Sequence, residues 1–307
     1  MRQSESVFFD IRGLRYHVRH WKGDAAKRVF LLHGWMDVSA SFQFLVDEMG
    51  PGWDILAPDW RGYGLTDWVK EDSYWFPDYV GDLDQLLERI QPDAPVNLVG
   101  HSLGGNVGSM YAGTRPERVA KFVNLEGFGM ARTRPEQAPS RLKRWLDEIR
   151  ERPVLRPYAN FAELADRLQK NNPRLARERA EFLARHWGKE TSAGKVELRS
   201  DPAHKIVNAT LSRLEEVRAF WERISAPVLW VDAADSKTLA QIGISAEDYA
   251  ERRAVFKNLR YETVQDAGHM LHHDQPQAVA RLIEDFLAEE FPAGDVAAKD
   301  SPSQAAP

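Results

Sequence analysis

VNLVGHSLGG, residues 96–105, joins a short apolar run to a Gly-x-Ser-x-Gly motif. The residues that follow can continue as a helix, and a strand, a sharp turn and a helix in this order are typical of a nucleophile elbow. Ser102 would project from the turn, where Gly100 and Gly104 leave room because they lack a Cβ atom. The backbone N–H of Leu103 would point to the reacting centre and donate to an oxyanion. The pentapeptide alone is a weak signal, so its interpretation depends on the rest of the chain.

Apolar runs of strand length alternate with amphipathic helical segments on both sides of this motif. Helices of this length between strands predict parallel crossovers and therefore an α/β fold. We predict an edge hairpin over 7–21 and buried strands at 28–32, 53–57, 96–99, 119–125, 228–231 and 259–264.

A long insertion interrupts this alternation after the strand at 119–125. From 131 to 224 there is no clear strand pattern, and apolar residues recur at helical spacing instead. We therefore predict a core of 1–130 and 225–291 with a helical cap at 131–224. The Ala-, Pro- and Ser-rich residues 292–307 are predicted to be a disordered tail.

A neutral serine needs an adjacent base, usually a histidine that a carboxylate orients. His269 is our candidate because it follows an Ala-Gly turn directly after the last predicted strand, where open α/β sheets place their ligands. His272 and His273 are competing candidates. At the end of an earlier strand, His33-Gly34-Trp35 is suited to present a second oxyanion donor, the backbone N–H of Trp35.

Two polar residues near this loop receive structural roles. We expect the imidazole of His33 to brace the loop, and Asp37 to cap the following helix.

Four motifs together resemble the α/β-hydrolase fold superfamily. They are His33-Gly34, Ala57-Pro58-Asp59-x-Arg61-Gly62-x-Gly64, Gly100-His101-Ser102-Leu103-Gly104-Gly105 and Gly268-His269. The wider motif sequences are similar to the serine hydrolase-like branch, near the haloalkane dehalogenases and epoxide hydrolases. Those two relatives use an aspartate nucleophile, whereas this chain has Ser102, so neither halide displacement nor epoxide opening is expected. The resemblance implies a mostly parallel eight-stranded sheet flanked by helices, with the cap inserted after the sixth strand.

The triad acid departs from the superfamily's common pattern. Most members have an aspartate after the strand that matches 228–231, but Ser236 occupies that place here and Asp235 comes one residue early. Some dehalogenase-like relatives supply the acid from the position of Glu126, at the end of the preceding core strand. We favour Glu126, keep Asp235 as the alternative and place Asp232 third.

These residues predict hydrolysis of small, hydrophobic carboxylic esters through an acyl-enzyme on Ser102, with no metal ion or organic cofactor required. Trp35, His101, Phe128 and Met270 are the predicted substrate contacts. Aromatic residues of the cap could line the pocket, although we favour a place in the core of the cap for most of them: Trp145, Tyr158, Phe182, Trp187, Phe220 and Trp221. A carbon–carbon bond hydrolase, a lyase or a cofactor-free perhydrolase would use the same residues, and a non-catalytic binding protein is a more distant alternative.

Composition excludes several other functions. The net charge of −5 gives no indication of nucleic-acid binding, and the absence of cysteine excludes disulfides, thiolate metal sites and a cysteine nucleophile. No apolar run is long enough to span a membrane. We expect a cytoplasmic enzyme acting on a small molecule; the sequence does not indicate its oligomeric state.

Overall fold

A computed structural model describes residues 1–69 and 73–291; the predicted tail at 292–307 lies outside the described residues. Eight strands form the main sheet, in the order β1-β2-β4-β3-β5-β6-β9-β10, and β7 and β8 form a separate hairpin. The strands are β1 (Glu5–Ile11), β2 (Leu14–Trp21), β3 (Asp24–Leu32), β4 (Trp53–Pro58), β5 (Val96–His101), β6 (Val119–Leu125), β7 (Gly188–Glu190), β8 (Val196–Leu198), β9 (Val228–Ala233) and β10 (Leu259–Val264).

Helices connect most of these strands. They are α1 (Gln43–Glu48), α2 (Phe76–Ile90), α3 (Leu103–Thr114), α4 (Ala138–Arg150), α5 (Phe161–Asn171), α6 (Arg177–Trp187), α7 (Leu214–Arg223), α8 (Thr238–Gln241), α9 (Ala246–Arg253), α10 (Leu271–Asp274) and α11 (Pro276–Ala288).

The predicted mostly parallel, eight-stranded sheet is confirmed. β2 runs antiparallel to its neighbours β1 and β4, whereas the pairs from β4 to β10 are parallel. The carboxyl ends of β3, β5, β6, β9 and β10 therefore meet at one edge of the sheet. This edge is where ligands bind in open α/β sheets.

Both faces of the sheet are covered by helices. In β3, Phe30 and Leu32 belong to the apolar cluster beneath α2 and α3, while Val29 and Leu31 belong to the cluster beneath α1 and α11. Successive strand residues point to opposite faces, so a strand buried on both sides must be apolar at every position. This explains the continuous apolar run in the sequence.

The insertion between β6 and β9 differs from its prediction in two respects. It contains the β7–β8 hairpin, whose three-residue strands are too short to give a strand pattern in the sequence. α5 and α6 form an apolar core of their own with β8. α7, in contrast, packs on α3: a Cβ atom at Gly113 would overlap the backbone of Phe220.

α7 therefore packs as part of the core layer, although the predicted cap boundary at residue 224 includes it. The indole of Trp221 is 1% exposed, and its Nε1 donates to Ser109 Oγ at 3.0 Å. Its ring packs against Trp230. Trp221 is therefore a core residue and offers almost no surface to a substrate pocket.

Candidate active site

Ser102 lies in the sharp turn between β5 and α3. Its backbone has φ of +50°, a left-handed conformation that is strained for a residue with a side chain. The turn is closed by the Ser102 N–H, which donates to the Leu125 carbonyl at 2.9 Å. A Cβ atom at Gly104 would overlap the Leu32 carbonyl, so a larger residue there would displace the turn.

His269 bridges the serine and a carboxylate. Its Nε2 lies 3.0 Å from Ser102 Oγ, and its Nδ1 lies 3.0 Å from Glu126 Oε2. An ionised carboxylate only accepts hydrogen bonds, so Nδ1 carries the proton and Nε2 presents its lone pair to the serine hydroxyl. This is the protonation state that a general base requires.

The loop that carries His269 is held at two points. The N–H of Gly268 donates to Asp274 Oδ2 at 2.8 Å, and Asn172 of the cap donates to the other oxygen of Asp274 at 2.7 Å. His101 Nε2 donates to the backbone carbonyl of His269 at 2.8 Å. The bond to the Gly268 N–H fixes the backbone before the imidazole, and the bond to the His269 carbonyl fixes it after the imidazole.

Glu126 follows β6 in a second strained turn, with φ of +56°. The side chain of Asn124 bridges this turn, because its amide exchanges hydrogen bonds with the Gly127 N–H and carbonyl, each at 2.9 Å. The carboxylate is 1% exposed and accepts from the Ala233 N–H at 2.8 Å and from the Ser236 hydroxyl at 2.5 Å. These two hydrogen bonds replace hydrogen bonds to water, which the carboxylate loses on burial, and so stabilise its negative charge.

The other two candidate acids point elsewhere. Asp235 is half-exposed and forms an ion pair with Arg174 of the cap at 2.7 Å. Asp232 accepts hydrogen bonds from the hydroxyls of Tyr249 and Tyr261, and burial raises its pKa. Among the described residues, Glu126 is the carboxylate that contacts His269.

The loop after β3, which carries the predicted oxyanion donor Trp35, packs directly against the serine. A Cβ atom at Gly34 would lie 3.4 Å from Ser102 Cβ and 2.9 Å from His101 Nδ1, so the loop can lie this close only with glycine at that position. His33 braces the loop as expected: its Nδ1 faces the Gly34 carbonyl at 2.8 Å and its Nε2 accepts from the Trp60 N–H at 2.9 Å. Burial lowers the pKa of His33 to about 4. Leu103 begins α3, so its N–H has no acceptor within the helix.

The predicted substrate contacts differ in exposure. Trp35 is 54% exposed and Met270 is half-buried, so both offer surface to a ligand. His101 and Phe128 are each 2% exposed and pack behind the serine and the histidine, which leaves them almost no surface for a substrate. The competing bases are buried as well: His272 lies beneath His101 and His273 bonds to Ser41.

The remaining cap aromatics are half-buried. Tyr158, Phe182 and Trp187 pack against the apolar core of the cap, and Trp145 packs against the core of the sheet.

Asp37 does not cap a helix. Its Oδ1 accepts from the adjacent Val38 N–H at 2.8 Å, and Asp59 instead accepts from the N–H of Ser39, which begins the short 3₁₀ helix Ser39–Phe42 before α1.

Two residues that contact the site were not assigned to it from the sequence. Ser236 and Asn124 both act on Glu126, one through a hydrogen bond and the other through its turn. The sequence could have indicated Ser236, because this residue occupies the place where most of the superfamily has its acid. The sequence could not have indicated Asn124, because its role depends on the conformation of a turn.

Comparison with known proteins agrees with this architecture. The family described as alpha/beta hydrolase fold matches residues 27–276. A serine hydrolase-like protein of Danio rerio is 26% identical, over 89% of this chain and 85% of its own. A putative 2-succinyl-6-hydroxy-2,4-cyclohexadiene-1-carboxylate synthase of Bacillus subtilis is 28% identical over 90% and 95%, and an sn-1-specific diacylglycerol lipase of Xenopus tropicalis is 24% identical over 84% and 76%.

Within residues 1–69 and 73–291, none of the helices has the length and apolar character needed to cross a membrane. The two strained turns, the family match and the similar proteins agree with one another. The chain belongs to the α/β-hydrolase superfamily, in its serine hydrolase-like branch.

Proposed function

We propose that this hydrolase cleaves small, hydrophobic carboxylic esters through an acyl-enzyme on Ser102. The observation that carries the proposal is the hydrogen-bonded series from Ser102 through His269 to Glu126, with 3.0 Å at each step. Two backbone amides, of Trp35 and Leu103, belong to the loop and the helix that flank the serine.

The reaction proceeds in two steps. His269 Nε2 removes the proton from Ser102 Oγ, which attacks the ester carbonyl, and the Trp35 and Leu103 amides stabilise the oxyanion. The tetrahedral intermediate collapses when the alcohol leaves with the proton from His269. A water molecule then attacks the acyl-enzyme by the same route, and the acid and free Ser102 result.

Glu126 takes no proton from the imidazole in this mechanism. It orients the His269 ring and stabilises the imidazolium that forms when the serine proton is transferred. Its own donors, Ala233 and Ser236, hold the carboxylate in place, so the ring has little freedom to turn away from the serine.

A hydrophobic substrate is supported by the apolar surface near the site. Trp35 is 54% exposed and Met130, four residues after Glu126, is 51% exposed. The name of the Xenopus tropicalis relative, a diacylglycerol lipase, also supports an ester.

Labelling with a fluorophosphonate probe tests the nucleophile. We expect the wild-type protein to be labelled and Ser102→Ala to be unlabelled, while Ser140→Ala, which removes an exposed cap hydroxyl, remains labelled. Nitrophenyl esters of increasing acyl length then test the substrate class. An unlabelled wild-type protein would contradict the proposal.

The name of the Bacillus subtilis relative, a putative synthase, favours a second candidate, a lyase or carbon–carbon bond hydrolase on the same residues. A panel of diketones beside the esters separates the two. A protein that is labelled at Ser102, yet turns over the diketones and none of the esters, would support this second function.

A further inference from the structure

Three buried side chains converge behind Ser102 without taking part in the proposed reaction. They are Asp37 from the loop after β3, His101 from the end of β5 and His272 from α10, each 2% exposed or less. One oxygen or nitrogen atom from each lies within 4.8 Å of the others. We call these three residues the rear cluster.

The rear cluster contains buried polar atoms that lack a hydrogen-bond partner, and the neutral ring of His272 contributes one lone pair and one N–H to them. Because Nε2 of His101 faces a carbonyl oxygen, which can only accept, Nε2 carries the proton and Nδ1 is left with a lone pair. Within the described part of the chain, His101 Nδ1, Asp37 Oδ2 and both ring nitrogens of His272 have no hydrogen-bond partner. Buried polar atoms are normally satisfied, so this group needs an occupant.

The chemistry of these groups selects the occupant. Two imidazoles and one carboxylate suit a borderline divalent ion such as Zn²⁺ or Co²⁺, whereas Mg²⁺ prefers oxygen ligands alone. Metal-binding histidines usually donate their second N–H to a carboxylate or a backbone carbonyl, and His101 does so to the carbonyl of His269. One ligand therefore already has the second hydrogen bond that a metal site requires.

We propose that Asp37, His101 and His272 bind one borderline divalent transition-metal ion, with water in the fourth position. Ligands of a tetrahedral zinc ion lie about 3.4 Å apart, so the most widely separated of these atoms approach one another by up to about 1.4 Å on binding. Gly34, which lies beside His101 Nδ1, places no side chain over this nitrogen.

Such an ion would connect three segments that meet at the site. It would tie the loop after β3, through Asp37, to the elbow and to the short helix that begins two residues after His269. The ion lies behind the serine and not on its hydroxyl. We therefore expect Zn²⁺ to raise the melting temperature while Ser102 still reacts with a fluorophosphonate probe.

Calorimetric titration of the metal-free full-length protein tests the site. We expect one Zn²⁺ per chain, no binding of Mg²⁺, and a Co²⁺ absorption spectrum of a four- or five-coordinate ion. Asp37→Asn and His272→Gln should each weaken binding by more than about 10-fold, because the loss of an outer-shell partner alone costs that much. His20→Gln is the control and should bind as the wild type does. His20 is bonded to Asp54 and lies in the part of β2 that is away from the carboxyl ends of the parallel strands.

Circular dichroism in the absence of metal shows whether each variant is folded, and two independent substitutions keep the test decisive if one is not. No binding at millimolar Zn²⁺ would overturn the proposal and indicate that the cluster holds only water. Binding that survives both substitutions, or Zn²⁺ that blocks the labelling of Ser102, would overturn it in favour of an adventitious or a triad-bound ion. None of these outcomes depends on whether the enzyme cleaves esters.

Discussion

The hydroxyl of Ser236 lies 2.5 Å from Oε2 of Glu126, the carboxylate oxygen that also lies 3.0 Å from Nδ1 of His269. Ser236 stands where most of the superfamily has its acid. β6 and β9 are neighbours in the sheet, so the segments that follow the two strands lie side by side. In this chain the turn after β6 provides the carboxylate, and the last residue of β9 and the loop after it each provide one hydrogen-bond donor to it.

Glu126→Gln should lower kcat by about 10⁴-fold, because an amide can hold His269 in the wrong tautomer and cannot stabilise the imidazolium. Asp235→Asn is the matched change on the alternative acid and should have little effect, since Asp235 pairs with Arg174. Ester hydrolysis by the two folded variants measures the difference. Equal losses would contradict our assignment of the acid.

Ser236→Ala should lower kcat by about 10- to 100-fold and leave KM unchanged, since a hydrogen bond to a charged group contributes about 1.5–3 kcal/mol. Ser236→Thr keeps the hydroxyl and should restore most of the rate. Thr238→Ala is the control, because Thr238 contacts Ser236 but not Glu126. A change in KM alone would assign Ser236 to substrate binding instead.

Gly34→Ala should reduce kcat by about 10²- to 10³-fold, the typical effect of losing one oxyanion donor. The new methyl group would lie 2.9 Å from His101 Nδ1, too close for a Cβ atom, and displace the loop that carries the Trp35 amide. Trp35→Phe keeps that backbone donor and should retain kcat. If instead Trp35→Phe lost activity and Gly34→Ala did not, the side chain rather than the amide would be the important group.

His204 makes folding stability depend on pH. Its ring is stacked between Tyr63 and Tyr74, and burial lowers its pKa to about 3. The unfolded chain takes up a proton near pH 6.5 while the folded imidazole stays neutral, so stability falls as the pH decreases from about 6.5 to 3.

His204→Phe should therefore reduce the slope of unfolding free energy against pH by about 1.4 kcal/mol per unit in this range. Urea denaturation at several pH values measures the slope. Tyr74→Phe keeps the imidazole and should retain the wild-type slope. The same slope in His204→Phe as in the wild type would show that His204 does not titrate in this way.

Much of the architecture was predictable because its causes are local. The apolar run at 28–32 predicts a strand buried on both faces, and the structure places alternate residues in the two apolar clusters. The turn at Ser102 was predictable from glycine spacing, since a Cβ atom at Gly100 or Gly104 would overlap the neighbouring backbone. The β7–β8 hairpin was missed because three-residue strands have no periodicity to detect.

The sequence by itself determined the order of strands and helices, the sheet and the elbow, because periodicity and glycine spacing act over a few residues. Only the tertiary structure decided which carboxylate faces His269, since Glu126 is 143 residues away and Asp232 and Asp235 end a neighbouring strand. Only the tertiary structure likewise shows that α7 packs on α3, and that Asp37, His101 and His272 lie close together. Parallel strands bring many loops to one edge, and only side-chain packing selects which of their groups meet.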